Sequence, residues 1–159
     1  MRIRIVAVGK IKEKFLQEGI AEYEKRLRPY VKLQVVEISD EKRPSPTSPA
    51  TDSAAKEKEG VRILAAIPKG SYVISLDVKG QSCSSEELAA SLSERELFVQ
   101  NQMAFVIGGD VGLSPAVLAR SDLRISLSKM TFTHPMARLL LLEQVYRAFR
   151  IIRGEPYHK

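Results

Sequence analysis

Met103-Ala104-Phe105-Val106-Ile107-Gly108-Gly109-Asp110-Val111-Gly112 is the stretch that decides the fold class. Five apolar residues without polar alternation predict a strand buried on both faces, as in a parallel sheet, and it runs straight into a glycine loop. Tyr72-Val73-Ile74-Ser75-Leu76 is a second such run. It follows a helical pattern over residues 56–67 that Pro68-Lys69-Gly70 breaks, and Gly80 is expected to close its exit. Towards the N-terminus, Ile3, Ile5 and Ala7 alternate with Arg2, Arg4 and Val6 before Gly9, which predicts a half-buried strand. Leu16, Ile20, Tyr23 and Leu27 recur at helical spacing up to Pro29, and residues 31–38 predict another strand. Residues 39–52 contain Pro44, Pro46 and Pro49 and are expected to form a mobile surface loop. Towards the C-terminus, Ser84 or Ser85 with Glu87 caps a helix, residues 115–119 form a short one, and residues 124–127 form a strand. A long helix over residues 135–152 then ends at Gly154-Glu155-Pro156. The alternation predicts a single α/β domain over residues 1–159, a mostly parallel sheet with helices on both faces.

Composition supports one globular unit. The 159 residues are 44% hydrophobic and 28% charged. The first residues, Met1-Arg2-Ile3-Arg4, lack a signal peptide's apolar core, and no apolar run approaches the roughly 18 residues of a spanning helix, so the expected location is the cytoplasm. One cysteine, Cys83, and two histidines exclude an internal disulfide and a zinc cluster. The net charge of +6 is unevenly placed: residues 1–32 hold nine Lys/Arg against four Glu, and residues 129–159 hold six against two. Bringing both ends to one face would make a cationic patch suited to nucleic acid, the alternative being an ordinary solvated surface.

In an open parallel sheet, ligands bind beyond the carboxyl ends of the strands. The loops after Leu76, Ile107 and Leu127 qualify. Gly108, Gly109 and Gly112 miss the spacing of a dinucleotide fingerprint, and read alone they fit a structural turn better than a ligand loop. Leu127-Ser128-Lys129-Met130-Thr131-Phe132 offers hydroxyls, a cation and an aromatic to an adenosine pocket, with core packing of Met130 and Phe132 as the alternative. The run Leu139 to Leu142 turns apolar groups to every side of the last helix, which calls for burial inside the monomer or under a second copy. Glu143 is spaced to pair with Arg147. His134, Arg138 and Arg153 have no partner assignable from the sequence, and an anion is one option for each. The tail Tyr157-His158-Lys159 is expected to fray, though a stacking ring, a proton acceptor and a cation make a useful set against RNA.

Several long motifs carry a resemblance. Ile125-Ser126-Leu127-Ser128-Lys129-Met130-Thr131-Phe132-Thr133-His134, then Arg138-Leu139, Glu143-Gln144-Val145-Tyr146-Arg147-Ala148 and Gly154-Glu155-Pro156-Tyr157-His158-Lys159, resemble the bacterial large-subunit rRNA pseudouridine N3-methyltransferases, the small stand-alone branch of the SPOUT superfamily. Ile5-Val6-Ala7-Val8-Gly9-Lys10 and Ala21-Glu22-Tyr23 extend the likeness to the whole chain. The resemblance implies a homodimer whose C-terminal trefoil knot holds S-adenosylmethionine, a topology that general rules of chain connection would not have suggested. It implies a cofactor site at Leu76, Gly108, Leu127, Ser128, Lys129, Met130, Thr131 and Phe132, with Gly108 leaving room for the ligand. It implies methyl transfer to N3 of a pseudouridine in the helix 69 stem-loop of 23S rRNA on the assembled ribosome, without membrane or metal. The tail would reach the partner's cofactor site, with His158 as proton acceptor or base-orienting group, Tyr157 against the nucleotide, and Arg138 and Lys159 as anion contacts. Lys10, Lys12 and Lys14 would help find the RNA. Asp110 departs from the small or apolar residue usual in that loop, and an acid there either repels RNA or attracts a cationic cofactor. Two other readings stand beside this one: a ribosome-binding protein that keeps the fold without catalysis, and a tRNA methyltransferase.

Overall fold

Ile3, Ile5 and Ala7 on one side of the first strand and Val6 and Val8 on the other are all buried, because this strand lies inside the sheet and both its faces are covered. The expected half-buried strand is thus corrected: the charged residues that suggested a wet face, Arg2 and Arg4, stand only at its start. The computed structural model describes residues 1–98 and 101–157. Along the chain the elements are β1 (Arg2–Val8), α1 (Lys14–Leu27), β2 (Lys32–Ile38), α2 (Pro49–Ala66) and β3 (Tyr72–Ser82). They continue with α3 (Ser85–Glu96), β4 (Gln102–Ile107), α4 (Pro115–Arg120), β5 (Leu123–Ser126) and α5 (His134–Ile152). The sheet order is β2-β1-β4-β3-β5, and every pairing between these strands is parallel.

Strand periodicity sorts the core into two layers. Ile3, Ile5, Ile74, Met103 and Phe105 pack with Leu27 of α1, Leu92 of α3 and Leu141, Leu142, Val145 and Phe149 of α5. Val6, Val8, Val73, Ala104 and Val106 pack on the opposite face with Ile63 of α2 and Val117 of α4. The sheet is therefore covered on both sides, and β3 and β4 have the unbroken apolar character this demands. From β5 at the sheet edge, the chain turns back so that α5 packs against α1 and α3.

Two further expectations need correction. The proline-containing segment is not a loop to Asp52, since α2 starts at Pro49. Ser48 accepts a hydrogen bond from the Thr51 backbone N–H, the Thr51 hydroxyl accepts one from the Ser48 N–H, and Pro49 occupies the first turn, where its missing N–H costs nothing. The segment is also tied down, by an Arg43–Asp52 ion pair at 2.7 Å. Secondly, Gly80 does not end β3 but lies within it. A Cβ there would come within 2.7–2.8 Å of the backbone of Arg124 and Ile125 in β5, at the point where the β3–β5 register shifts. Glycine is required by close backbone approach rather than by a turn.

Candidate functional site

The middle of β3 and the carboxyl ends of β4 and β5 surround a cavity of about 790 Å³, within the size range of small-molecule sites. Seven of the eight residues expected around a cofactor line it: Leu76 from β3, Gly108 after β4, and Leu127, Ser128, Met130, Thr131 and Phe132 after β5. Lys129, the eighth, is exposed and is not in the wall. Met130 and Phe132 are not core residues. Met130 is 76% exposed and both face the cavity, so the core-packing alternative falls.

The loop after β5 is shaped by its own hydroxyls. Ser126 Oγ donates to the Ser128 carbonyl at 2.8 Å, and Ser128 Oγ accepts from the Met130 N–H at 3.0 Å. The glycine loop after β4 folds back on itself, with the Gly112 N–H donating to the Gly109 carbonyl at 3.0 Å. A Cβ on Gly108 would stand 3.0 Å from the backbone of Gly112 and the side chain of Leu113. The loop's own packing therefore leaves little space for a side chain here, whatever room the glycine also leaves for a ligand.

Residues outside the expected set complete the wall: Glu13 from the N-terminal edge of α1, Asp77 and Val78 from β3, Asp110 from the glycine loop, and His134 from the start of α5. Asp77 is held by Arg124, whose Nε and Nη2 donate to Oδ2 at 3.0 and 2.5 Å. Asp110 meets His134 Nδ1 at 3.1 Å and Arg43 at 3.9 Å. The wall contains three carboxylates and, among the described residues, no Lys or Arg, in a chain of net charge +6. Only pairs distant in the sequence create this local polarity, so composition gave no sign of it.

The three basic residues left without partners by the sequence all have one. His134 has Asp110, Arg153 stands 3.8 Å from Glu96, and Arg138 is buried, donating to Glu37 Oε1 at 2.6 Å and to the Gly9 carbonyl at 2.8 Å. Arg138 lies outside the cavity wall and fastens α5 to the ends of β1 and β2. An external anion would have to compete with Glu37 for it. Tyr157 is likewise outside the wall of its own chain and does not fray. Its ring meets Tyr146 edge-on at 4.9 Å, and its hydroxyl donates to Glu143 at 3.1 Å and lies 3.4 Å from that of Tyr23. Burial, then the contacts with Tyr23 and Glu143, raise this phenol far above the ordinary tyrosine range, so it acts as a donor and not as a base. The expected Glu143–Arg147 pair is present at 2.5 Å. His158 and Lys159 lie outside the described residues.

With this geometry in view, comparison with known proteins identifies the family. A family model described as "Predicted SPOUT methyltransferase" matches residues 1–158. The chain belongs to the SPOUT methyltransferase family. A relative from Methanoregula boonei is 60% identical to this SPOUT chain over the full length of both. Relatives from Carboxydothermus hydrogenoformans and Listeria monocytogenes, at 57% and 55% identity over the full length of both chains, carry the name ribosomal RNA large subunit methyltransferase H. Among solved structures, a probable methylase family protein from Haemophilus influenzae Rd KW20 superposes with a TM-score of 0.50 at 14% identity, covering 96% of this chain and 66% of that one. That likeness shows the fold alone. No helix among the described residues is long and apolar enough to cross a membrane, and no group of three or more His, Cys, Asp or Glu among them could hold a metal.

Proposed function

We propose that this SPOUT chain transfers a methyl group from S-adenosylmethionine to N3 of a pseudouridine in the helix 69 stem-loop of 23S rRNA, on the assembled ribosome. The observation that carries the cofactor assignment is the polarity of the cavity. The wall carries three carboxylates and, among the described residues, no Lys or Arg; Asp77 is paired with Arg124, and Asp110 lies near Arg43 and His134, so the lining offers acidic oxygens to a positively charged ligand and no Lys or Arg to a dinucleotide phosphate. The substrate assignment rests on the names of full-length relatives and on the motifs from Ile125 to His134 and from Gly154 to Lys159.

The backbone around Gly108 and the residues Leu76, Leu127, Ser128 and Thr131 would hold the adenosine part, with Met130 and Phe132 at its side. Bound there, the cofactor supplies a methyl group already activated on a sulfonium, so no Lewis acid is needed. The protein's tasks are alignment and removal of the N3 proton. His158 would take that proton or orient the base, on the side from which a bound cofactor would supply the methyl group. Tyr157, a firm donor, orients the nucleotide side, while Lys159 meets phosphate. Arg138 supports the site from behind by fixing Gly9 and α5, and its sequence-based role as an anion contact would require release from Glu37.

Tyr157 lies outside the cavity of its own chain, which supports a reading in which the tail serves the cavity of a second protomer and the active form is a homodimer. The half-buried Leu140 and Met136 on α5 supply an apolar surface for it. The return of α5 from the sheet edge is consistent with a trefoil knot around the cofactor loops.

Labelled methyl transfer to bacterial ribosomes that lack the modification, followed by mass analysis of digested 23S rRNA, tests the proposal. A methylated pseudouridine is the expected product. Cofactor binding without labelled 23S rRNA would overturn the substrate assignment, and absence of cofactor binding would overturn both.

A further inference from the structure

The segment between β1 and α1 has a well-defined form. Ile11 packs on the core, its carbonyl accepts from Gln17 Nε2 at 2.8 Å, and the Leu16 and Gln17 N–H groups donate to the Glu13 carbonyl. Leu16 then points into the core, so its neighbour Phe15 is turned outward and is 66% exposed. Helix packing gives no reason for an aromatic ring here, since Leu16, Ile20 and Leu27 already supply the buried face. Phe15 lies beside Lys14, with Lys10 and Lys12 exposed just before it. Lys14 stands 3.8 Å from Glu18, and no ion pair among the described residues involves Lys10 or Lys12. The intervening Glu13 lines the cavity itself. Exposed apolar side chains recur on the cavity wall at Val78, Met130 and Phe132, and Lys129 adds a cation beside Met130.

An exposed ring flanked in sequence by lysines, two residues after a glutamate that lines the cavity, matches the way proteins hold unpaired nucleotides, by stacking bases on aromatic faces and tracking phosphates with cations. We infer that the β1–α1 segment is an RNA contact: Phe15 stacks on an unpaired base next to the nucleotide entering the cavity, and Lys12 and Lys14 contact the adjoining phosphates. This rests on the RNA-methylating reading above and adds a contact made from the N-terminal part of the chain. The carboxylates inside the cavity and the lysines outside it then divide the labour, one set favouring a cationic cofactor and the other an anionic strand.

The test compares the full chain with F15A, F15W and the double variant K12A/K14A, using assembled ribosomes that lack the modification. F15A is expected to raise KM for ribosomes about tenfold, with S-adenosylmethionine affinity by calorimetry within twofold of the parent, and F15W is expected to restore KM. K12A/K14A should flatten the dependence of log affinity on log salt by about 1.4. An unchanged KM in F15A overturns the inference, as does equal impairment of F15W. A lighter species in sedimentation of F15A also overturns it, by assigning the ring to self-association. If the parent chain itself labels no RNA, the failure lies with the RNA-methylating reading, whereas active parent and equally active F15A place it here.

Discussion

His134 Nδ1 and Asp110 Oδ1 stand 3.1 Å apart in the wall of the cavity, so the first residue of α5 is tied to the glycine loop that follows β4. The pair joins two segments that must both be in place for the site to exist. It also fixes a negative charge where a sulfonium ligand would enter.

Asp110 is largely exposed, so its influence on a cationic ligand is modest and screened by salt. Asp110→Lys should weaken S-adenosylmethionine binding by about fivefold at low ionic strength and by less at high, and Asp110→Asn by about twofold. Calorimetry at two salt concentrations checks this. Equal affinity in all three proteins would remove Asp110 from the account of the cavity.

Arg138 joins three elements through Glu37 and the Gly9 carbonyl. Arg138→Met leaves that carbonyl and carboxylate without their donor. The expected loss is about 2 to 3 kcal/mol, below that of a fully buried pair because the Glu37 side chain is 39% exposed. Urea unfolding measures it. Wild-type stability would show that the pair contributes nothing net.

Gly80→Ala forces a Cβ against β5 backbone, where no flexible side chain can yield. Overpacking of this kind costs about 2 kcal/mol, or roughly 4 to 8 °C in melting temperature for a chain of this length. Because Asp77 and Val78 lie on the same strand, cofactor affinity should fall as well. Retention of both values would refute the close approach.

Much of this was legible in the sequence, and the divisions are physical. The apolar runs of β3 and β4 were plain because a strand covered on both faces has no alternation to obscure it. The cavity-lining positions after β4 and β5 followed from the ends of those two strands, whereas Leu76 lies within β3, which continues to Ser82. The start of α2 was missed because three prolines within six residues outweighed the capping pattern of Ser48 and Thr51. Gly80 was misread because a glycine in a turn and one under a neighbouring backbone look alike in sequence. The partners of Arg138 and His134 were hidden for a different reason: Glu37 is 101 residues from Arg138, and no local pattern encodes a contact of that span.

Glu59 of α2 is buried, with Oε1 accepting the Glu41 N–H at 3.0 Å and Oε2 without a hydrogen-bond partner. Burial raises its pKa above the ordinary glutamate value of 4.5, only partly offset by that hydrogen bond. The folded state thus holds this proton more tightly than the unfolded state, so its contribution to stability declines as pH rises from 4.5 through the elevated folded value. Glu59→Gln, uncharged at every pH, should flatten that decline. Urea titrations at pH 5 and pH 8 measure it, and parallel pH dependence in both proteins would contradict the assignment.

Leu140 is half-buried on α5 in the single chain. If α5 meets a second copy, Leu140→Glu should shift sedimentation from dimer to monomer and abolish methyl transfer while leaving the fold intact by circular dichroism. A stable Leu140→Glu dimer would place the interface elsewhere.

β1 sits between β2, which follows it within thirty residues, and β4, whose partner residues begin a hundred positions later. A nascent chain can therefore form β1, α1 and β2 early, yet the middle of its sheet stays open on one side until β4 has been synthesised. Closing so long a loop carries an entropic cost before any contact rewards it, which makes folding slow relative to chains with local pairings. During that interval the edge of β1, rich in Ile and Val, is the segment most exposed to pairing with the wrong neighbour, and the two arginines at its start are the charges best placed to discourage it.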